Sequence, residues 1–179
     1  MHMGIQFKEI YNMQHMYFAM GLALLCSAVV YAADAGLKPG DAAPDVGAPD
    51  ETGKEVKLSS FKDKSAVVVF FYPKADTPGC TKESCAFRDD AKDFEAKGYV
   101  LLGASRDTPE AQTKFKEKYH LNFPLLSDPK GELATSLGLT PGKRQSIVIG
   151  KDGKVAKVYL NVTPATHAKD LLKELEPAK

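Results

Sequence analysis

Two cysteines, Cys80 and Cys85, are the residues of this chain whose type and spacing could do chemistry. They lie in the stretch Val67 to Arg88, VVVFFYPKADTPGCTKESCAFR. Here an apolar run ends at Tyr72-Pro73, a short polar loop follows, and a helical pattern opens at Gly79-Cys80. A cysteine just after a strand and at the start of a helix meets unpaired N–H groups and the positive end of the helix dipole, which favour a thiolate. The thiolate is the nucleophilic form of sulfur, so the chemistry on offer is redox chemistry at sulfur. Five residues along a helix rotate a side chain by about 140°. The two sulfurs therefore lie on different faces, and a bond between them requires local unwinding. Such a pair suits a catalytic cycle better than a permanent staple. Spacing alone leaves two other readings open: buried cysteines that behave as small hydrophobes, and a structural disulfide. A zinc site needs more ligands at short spacing, and His120 and His167 are far away in sequence.

The elements that must position these residues come from a chain of 179 residues, enough for one domain of ordinary size plus an extension. Hydrophobic residues at 44% and charged residues at 26% describe a globular chain rather than a disordered one. A net charge of +1, without a long basic cluster, argues against nucleic acid or an anionic membrane as a partner. Three cysteines are too few for a disulfide scaffold, and a chain this long does not need one.

Residues 1–33 differ from the rest. Met16 to Ala33, MYFAMGLALLCSAVVYAA, carries no charged residue and ends in small side chains where a signal peptidase reads them. The expectation is a secretory leader cleaved after Ala32 or Ala33, which would remove Cys26. An uncleaved membrane anchor is the alternative, and translation from an internal methionine is another. The protein is then periplasmic or otherwise exported, or cytoplasmic if the leader is not used.

Residues 34–179 are expected to form one domain. A Gly-, Pro- and Asp-rich lead-in reaches Ser60, with a hairpin turn at Asp50 to Gly53 and a helical turn near Ser59 to Phe61. Lys64 to Tyr72 reads as a central strand buried on both faces. Thr77-Pro78 starts a helix expected to run from about Gly79 to Lys97, with Gly98 as its stop. Strands follow at Tyr99 to Ala104, Phe123 to Ser127 and Arg144 to Gly150, with helices between them. Val155 to Leu160 closes a hairpin, and Pro164 to Leu175 is a last amphipathic helix. The alternation predicts an α/β fold: a mixed, mostly parallel central sheet with helices on both faces and an antiparallel hairpin at one edge.

The segment from Phe71 to Asp89 resembles the active-site segment of the peroxiredoxins, closest to the bacterioferritin comigratory protein / peroxiredoxin Q branch. Pro73, Thr77 and Cys80 match the family's Pro-x-x-x-Thr-x-x-Cys motif, and Cys85 matches the branch's second cysteine. Arg144-Gln145-Ser146 matches the family's Arg-x-Ser at the start of a later strand. The resemblance covers roughly Leu37 to Leu175 and implies a thioredoxin-like fold. It implies a thiol peroxidase that reduces hydrogen peroxide and alkyl hydroperoxides without metal, haem or other cofactor. Cys80 becomes the peroxidatic cysteine, oxidised to a sulfenic acid, and Cys85 the resolving cysteine that closes an intramolecular disulfide. Thr77 is expected to hydrogen-bond the sulfur and the incoming oxygen. Arg144 stabilises the developing charge, and Pro73 shapes the loop and shields the site. Taken singly, Thr77 reads as a plain helix cap and Arg144 as a surface ion pair.

The family implies a thioredoxin-type donor as reductant, or an exported thioredoxin-like protein if the leader is used, and members of the branch are often monomers. Two rivals stand beside this reading. One is a thioredoxin-fold thiol-disulfide oxidoreductase acting on proteins, which normally uses Cys-x-x-Cys. The other is a non-catalytic metal-binding module, which needs a histidine beside the cysteines. His120 and His167 read as solvated, Asp76, Lys74 and Glu83 as exposed charges bordering the site, and Tyr72 and Phe87 as pocket wall or core.

Overall fold

The computed structural model describes residues 36–178; the expected leader at 1–33 lies outside them. The lead-in forms a small antiparallel ribbon of β1 (Gly47–Pro49) and β2 (Glu55–Lys57), followed by a 3-10 turn at Leu58–Phe61. A five-stranded sheet follows, in the order β5 (Leu125–Ser127), β4 (Tyr99–Ser105), β3 (Ala66–Phe71), β6 (Gln145–Ile149), β7 (Val155–Tyr159). β3, β4 and β5 run parallel, and β6 and β7 are each antiparallel to their neighbours. The sheet is mixed, as expected, with β6 joining β7 in the antiparallel part. That arrangement brings the start of β6 beside the end of β3, where Phe71 faces Gln145.

Every residue of β3 is buried, because both faces of the sheet are covered. Val67, Val69 and Phe71 point to a core shared with Leu133, Leu137, Ile147 and Leu58, under α4 (Glu132–Ser136) and the ribbon. Val68, Phe70 and Tyr72 point to a second core with Phe87, Phe94, Phe115 and Leu171. That core lies under α1 (Pro78–Asp89), α2 (Ala91–Ala96), α3 (Pro109–Tyr119) and α5 (His167–Glu174). The period of two along β3 separates the cores. Gly103 in β4 makes room in the second core: a Cβ there would stand 2.8 Å from Leu125 Cδ2 and 3.1 Å from Phe70 Cζ.

The single helix expected over Gly79 to Lys97 is two helices. Asp90 leaves helical geometry at φ −93°, ψ 3°, and its carbonyl accepts from the N–H groups of Asp93 and Phe94 to start α2. The apolar spacing runs on through the break, so periodicity did not reveal it. Phe87 and Phe94, seven residues apart, both reach the core, with ring centroids 5.7 Å apart.

Candidate active site

The loop between β3 and α1 is held from two sides. Tyr72 extends the strand by donating its N–H to Ala104 O at 3.0 Å, and Pro73, with no N–H of its own, ends it. Ala75 N–H then donates to Asp107 Oδ2 at 2.7 Å. Asp76 takes a left-handed backbone, φ +58°, which a short polar side chain tolerates better than most. Its carboxylate accepts from Lys118 Nζ at 2.8 Å and Tyr119 OH at 2.6 Å, tying the loop to the end of α3.

Thr77 is the N-cap residue of α1, in extended backbone at φ −93°, ψ 151°, and Pro78 takes the first helical position. Its hydroxyl neither caps the helix nor meets the sulfur: Oγ1 donates to Lys74 O at 3.0 Å. With its proton committed there, the oxygen keeps its lone pairs for an incoming donor. Cys80 follows in the first turn, 1% exposed. Thr81 N–H is bonded back to Thr77 O, so the N–H groups of Gly79 and Cys80 are among those at the helix start without an intrahelical acceptor.

Arg144, just before β6, points its guanidinium at this turn. Nη2 lies 3.2 Å from Cys80 Sγ, and Nη1 pairs with Glu83 Oε2. Gly79 lies beneath the guanidinium: a methyl group there would stand 3.4 Å from Nη2, an ordinary van der Waals contact. Burial works against the guanidinium charge, but Glu83 and the Cys80 sulfur outweigh it and raise the Arg144 pKa above its usual value. The arginine also lines an open cavity of about 430 Å³ with Lys143, Leu160 and Val162.

Two expectations are corrected here. Glu83 is not an exposed border charge: its side chain is fully buried. His167 is not solvated: it is 2% exposed, with Nδ1 2.7 Å from Glu83 Oε1 and Nε2 3.1 Å from Ser146 Oγ. Glu83 was recoverable from sequence, because it falls three residues after Cys80 on the same helical face. Ser146 was too, two residues from Arg144 on one side of the strand. Nothing local pointed to His167, which reaches the site from α5. His120 sits, as read, exposed at the end of α3, in left-handed backbone at φ +51°. Among the described residues, no group of three or more His, Cys, Asp and Glu side chains could hold a metal ion.

Cys85 is half-buried and turned away from the Cys80 face of α1, and both cysteines are free thiols. Tyr72 and Phe87 are core. Tyr72 OH donates to Gln112 Oε1 at 2.6 Å, and burial pushes its phenol pKa far above the ordinary value. Phe87 stacks on Phe70 with centroids 4.1 Å apart.

A buried cysteine at a helix start, an arginine on its sulfur and a second thiol off its face form a site for sulfur redox chemistry. Residues 39–158 match the AhpC/TSA family. Peroxiredoxin Bcp of Escherichia coli K12 is 38% identical over 142 residues, covering 73% of this chain and 90% of that protein. The crystal structure of peroxidoxin BcpB from Mycobacterium tuberculosis superposes with a TM-score of 0.71 at 40% identity, covering 76% of this chain and 95% of that one. A structure of Xanthomonas campestris bacterioferritin comigratory protein, described for its alkyl peroxide reduction activity, gives a TM-score of 0.70 at 28% identity, over 79% and 96% of the two chains. The chain belongs to the AhpC/TSA family, the peroxiredoxins, with their thioredoxin-like fold, and is a thiol-dependent peroxidase.

Proposed function

We propose that Cys80 is the peroxidatic cysteine and Cys85 the resolving cysteine of a peroxidase that closes an intramolecular disulfide in each turnover. The observation that carries this is the 3.2 Å contact from Arg144 Nη2 to Cys80 Sγ at the open end of a helix. A guanidinium there stabilises the thiolate and meets the charge that develops on the leaving oxygen. The Cys80 thiolate attacks one peroxide oxygen. An S–O bond forms, the O–O bond breaks, and the second oxygen leaves as hydroxide or alkoxide and takes up a proton. Thr77 Oγ1, its proton held by Lys74 O, accepts from the peroxide O–H and aligns it. Pro73 withdraws an N–H from the loop and keeps water from the sulfur.

Cys85 then attacks the Cys80 sulfenic acid. The S–S bond forms, the S–O bond breaks, and the oxygen leaves as water with the thiol proton. The opposed faces of the two cysteines require the first turns of α1 to unwind for this step. A thioredoxin-type dithiol protein restores the pair. Alkyl hydroperoxides are substrates beside hydrogen peroxide, as the activity named for the Xanthomonas relative suggests. The protein acts as a monomer. The uncharged run Met16 to Ala33 supports export, in which case the reductant is an exported thioredoxin-like protein. N-terminal sequencing of the mature protein from a periplasmic extract tests that part; an intact Met1 removes it.

The deciding experiment mixes reduced protein with one equivalent of hydrogen peroxide and maps thiols by peptide mass. The expected result is loss of the Cys80 and Cys85 thiols in wild type, no rapid reaction in Cys80→Ser, and a trapped sulfenic acid in Cys85→Ser. Slow reaction with peroxide alongside fast exchange with protein disulfides would move the assignment to a protein oxidoreductase.

A further inference from the structure

Glu83 has no role in the chemistry above, yet it is a carboxylate with 0% of its surface exposed. It stands between the two cysteines in sequence, on the part of α1 that must unwind before Cys85 can reach Cys80. Its two oxygens are divided between two other elements. Oε2 pairs with Arg144 Nη1 before β6, and Oε1 lies 2.7 Å from His167 Nδ1 on α5. His167 is fixed in turn by Ser146 Oγ at 3.1 Å and by the edge of Phe87, ring centroids 5.1 Å apart.

The rest of α1 divides into a part that is anchored and a part that is not. Phe87 is fully buried against Phe70, and Arg88 Nη1 donates to Tyr119 O at 2.7 Å, so the C-terminal end is secured by packing and a backbone contact. In the turn between the cysteines, Ser84 buries its hydroxyl with no hydrogen-bond partner among the described residues. A buried, unsatisfied hydroxyl favours exposure of that turn. Glu83 opposes it: drawing the carboxylate out would leave Arg144 short of an anion and His167 short of its partner.

We propose that Glu83 is the latch of the catalytic cycle. Held by Arg144 and His167, it keeps the first turns of α1 wound in the peroxide-reactive form, and its withdrawal from that pair lets Cys85 attack the Cys80 sulfenic acid. The proposal rests on the two-cysteine reading given above. Glu83 and His167 are positioning residues in it: Glu83 acts through Arg144 and the helix, His167 through Glu83.

Glu83→Gln is the direct test, because it keeps the size but leaves one acceptor oxygen for two donors. Stopped-flow measurement separates sulfenic acid formation from disulfide closure. In Glu83→Gln, peroxide attack slows, because Arg144 loses its orienting partner, while disulfide closure speeds up by about tenfold or more. The fraction over-oxidised to sulfinic acid under excess peroxide falls, because the sulfenic acid is shorter-lived. Damage confined to the surroundings of the Cys80 sulfur would slow attack without speeding closure. His167→Asn accelerates closure as well, and the double variant closes no faster than Glu83→Gln, since both act through one contact.

Closure at the wild-type rate in Glu83→Gln, or additive effects of the two substitutions, overturns the latch. Should Glu83→Gln fail to fold, amide exchange of residues 81–85 in reduced His167→Asn decides the matter. Selective loss of protection there, with β3 unchanged, is expected; unchanged protection overturns the proposal. Wild type is run first. If it loses no Cys85 thiol on peroxide treatment, the two-cysteine reading fails, whatever the variants do. If wild type closes the disulfide and the variants match it, only the latch fails.

Discussion

Arg144 and Cys80 form the contact on which the chemistry turns, and the arginine's geometry matters more than its charge. A guanidinium presents two parallel donors, and here one serves the sulfur and the other Glu83. Lysine at 144 keeps the charge and loses the fork. Arg144→Lys is expected to lower the second-order rate with hydrogen peroxide by about a hundredfold, the scale of losing one donor to a developing oxyanion. Stopped-flow kinetics of the reduced protein checks this. Tyr72 is a different case. Its buried hydroxyl donates to Gln112, whose amide nitrogen donates to Ser105 Oγ and Leu126 O. Tyr72→Phe leaves the Gln112 oxygen buried without that donor. The substitution should cost about 1–3 kcal/mol of stability by chemical denaturation, with the peroxide rate nearly unchanged. A large rate loss without a stability loss would place Tyr72 in the site rather than in its support.

At the scale of elements, the loop between β3 and α1 owes its shape to Asp76. Hydrogen bonds from Lys118 and Tyr119 hold its carboxyl pKa below the ordinary 3.8. A carboxyl group whose folded pKa is depressed adds stability above its unfolded pKa and loses it as pH falls through the folded one. The anchor is thus complete at neutral pH and released only in acid below that ordinary value, seen as faster amide exchange at Ala75 to Thr77. The backbone at this residue is left-handed, which asparagine accepts and alanine resists. Asp76→Asn should therefore remove the pH step while keeping the loop's shape, and Asp76→Ala should loosen the loop at every pH. Equal effects of the two substitutions on loop exchange would count against the backbone argument.

Across the whole molecule, the site hangs on the second core. Phe87 touches Phe70 on β3, Phe94 on α2 and His167 on α5, so one ring joins the sheet to three helices. Phe87→Ala should destabilise the fold by about 3–5 kcal/mol through lost burial and the cavity left behind. A lower denaturant midpoint with an unchanged slope would show this. The site draws on β3, α1, β6 and α5, which meet because β6 runs antiparallel beside β3. The end of β3 and the start of β6 therefore lie at one edge of the sheet, where α1 begins.

The sequence by itself determined what depends on local order along the chain. The all-apolar run Ala66 to Phe71 could only be a strand covered on both sides, and Thr77-Pro78 could only open a helix just ahead of Cys80. The five-residue offset put the two thiols on different faces, and the resemblance of the Pro73, Thr77, Cys80 and Arg144 pattern to the peroxiredoxins implied peroxide chemistry. The break at Asp90 escaped because the apolar spacing runs through it. What only the tertiary structure decided is the state of the charges. Glu83 and His167 are 84 residues apart; the helical face shared with Cys80 points to Glu83, but nothing near His167 marks it as buried. Each is accommodated inside only because the other, with Arg144 and Ser146, satisfies its polar atoms, and that pairing exists only once α5 has packed across α1.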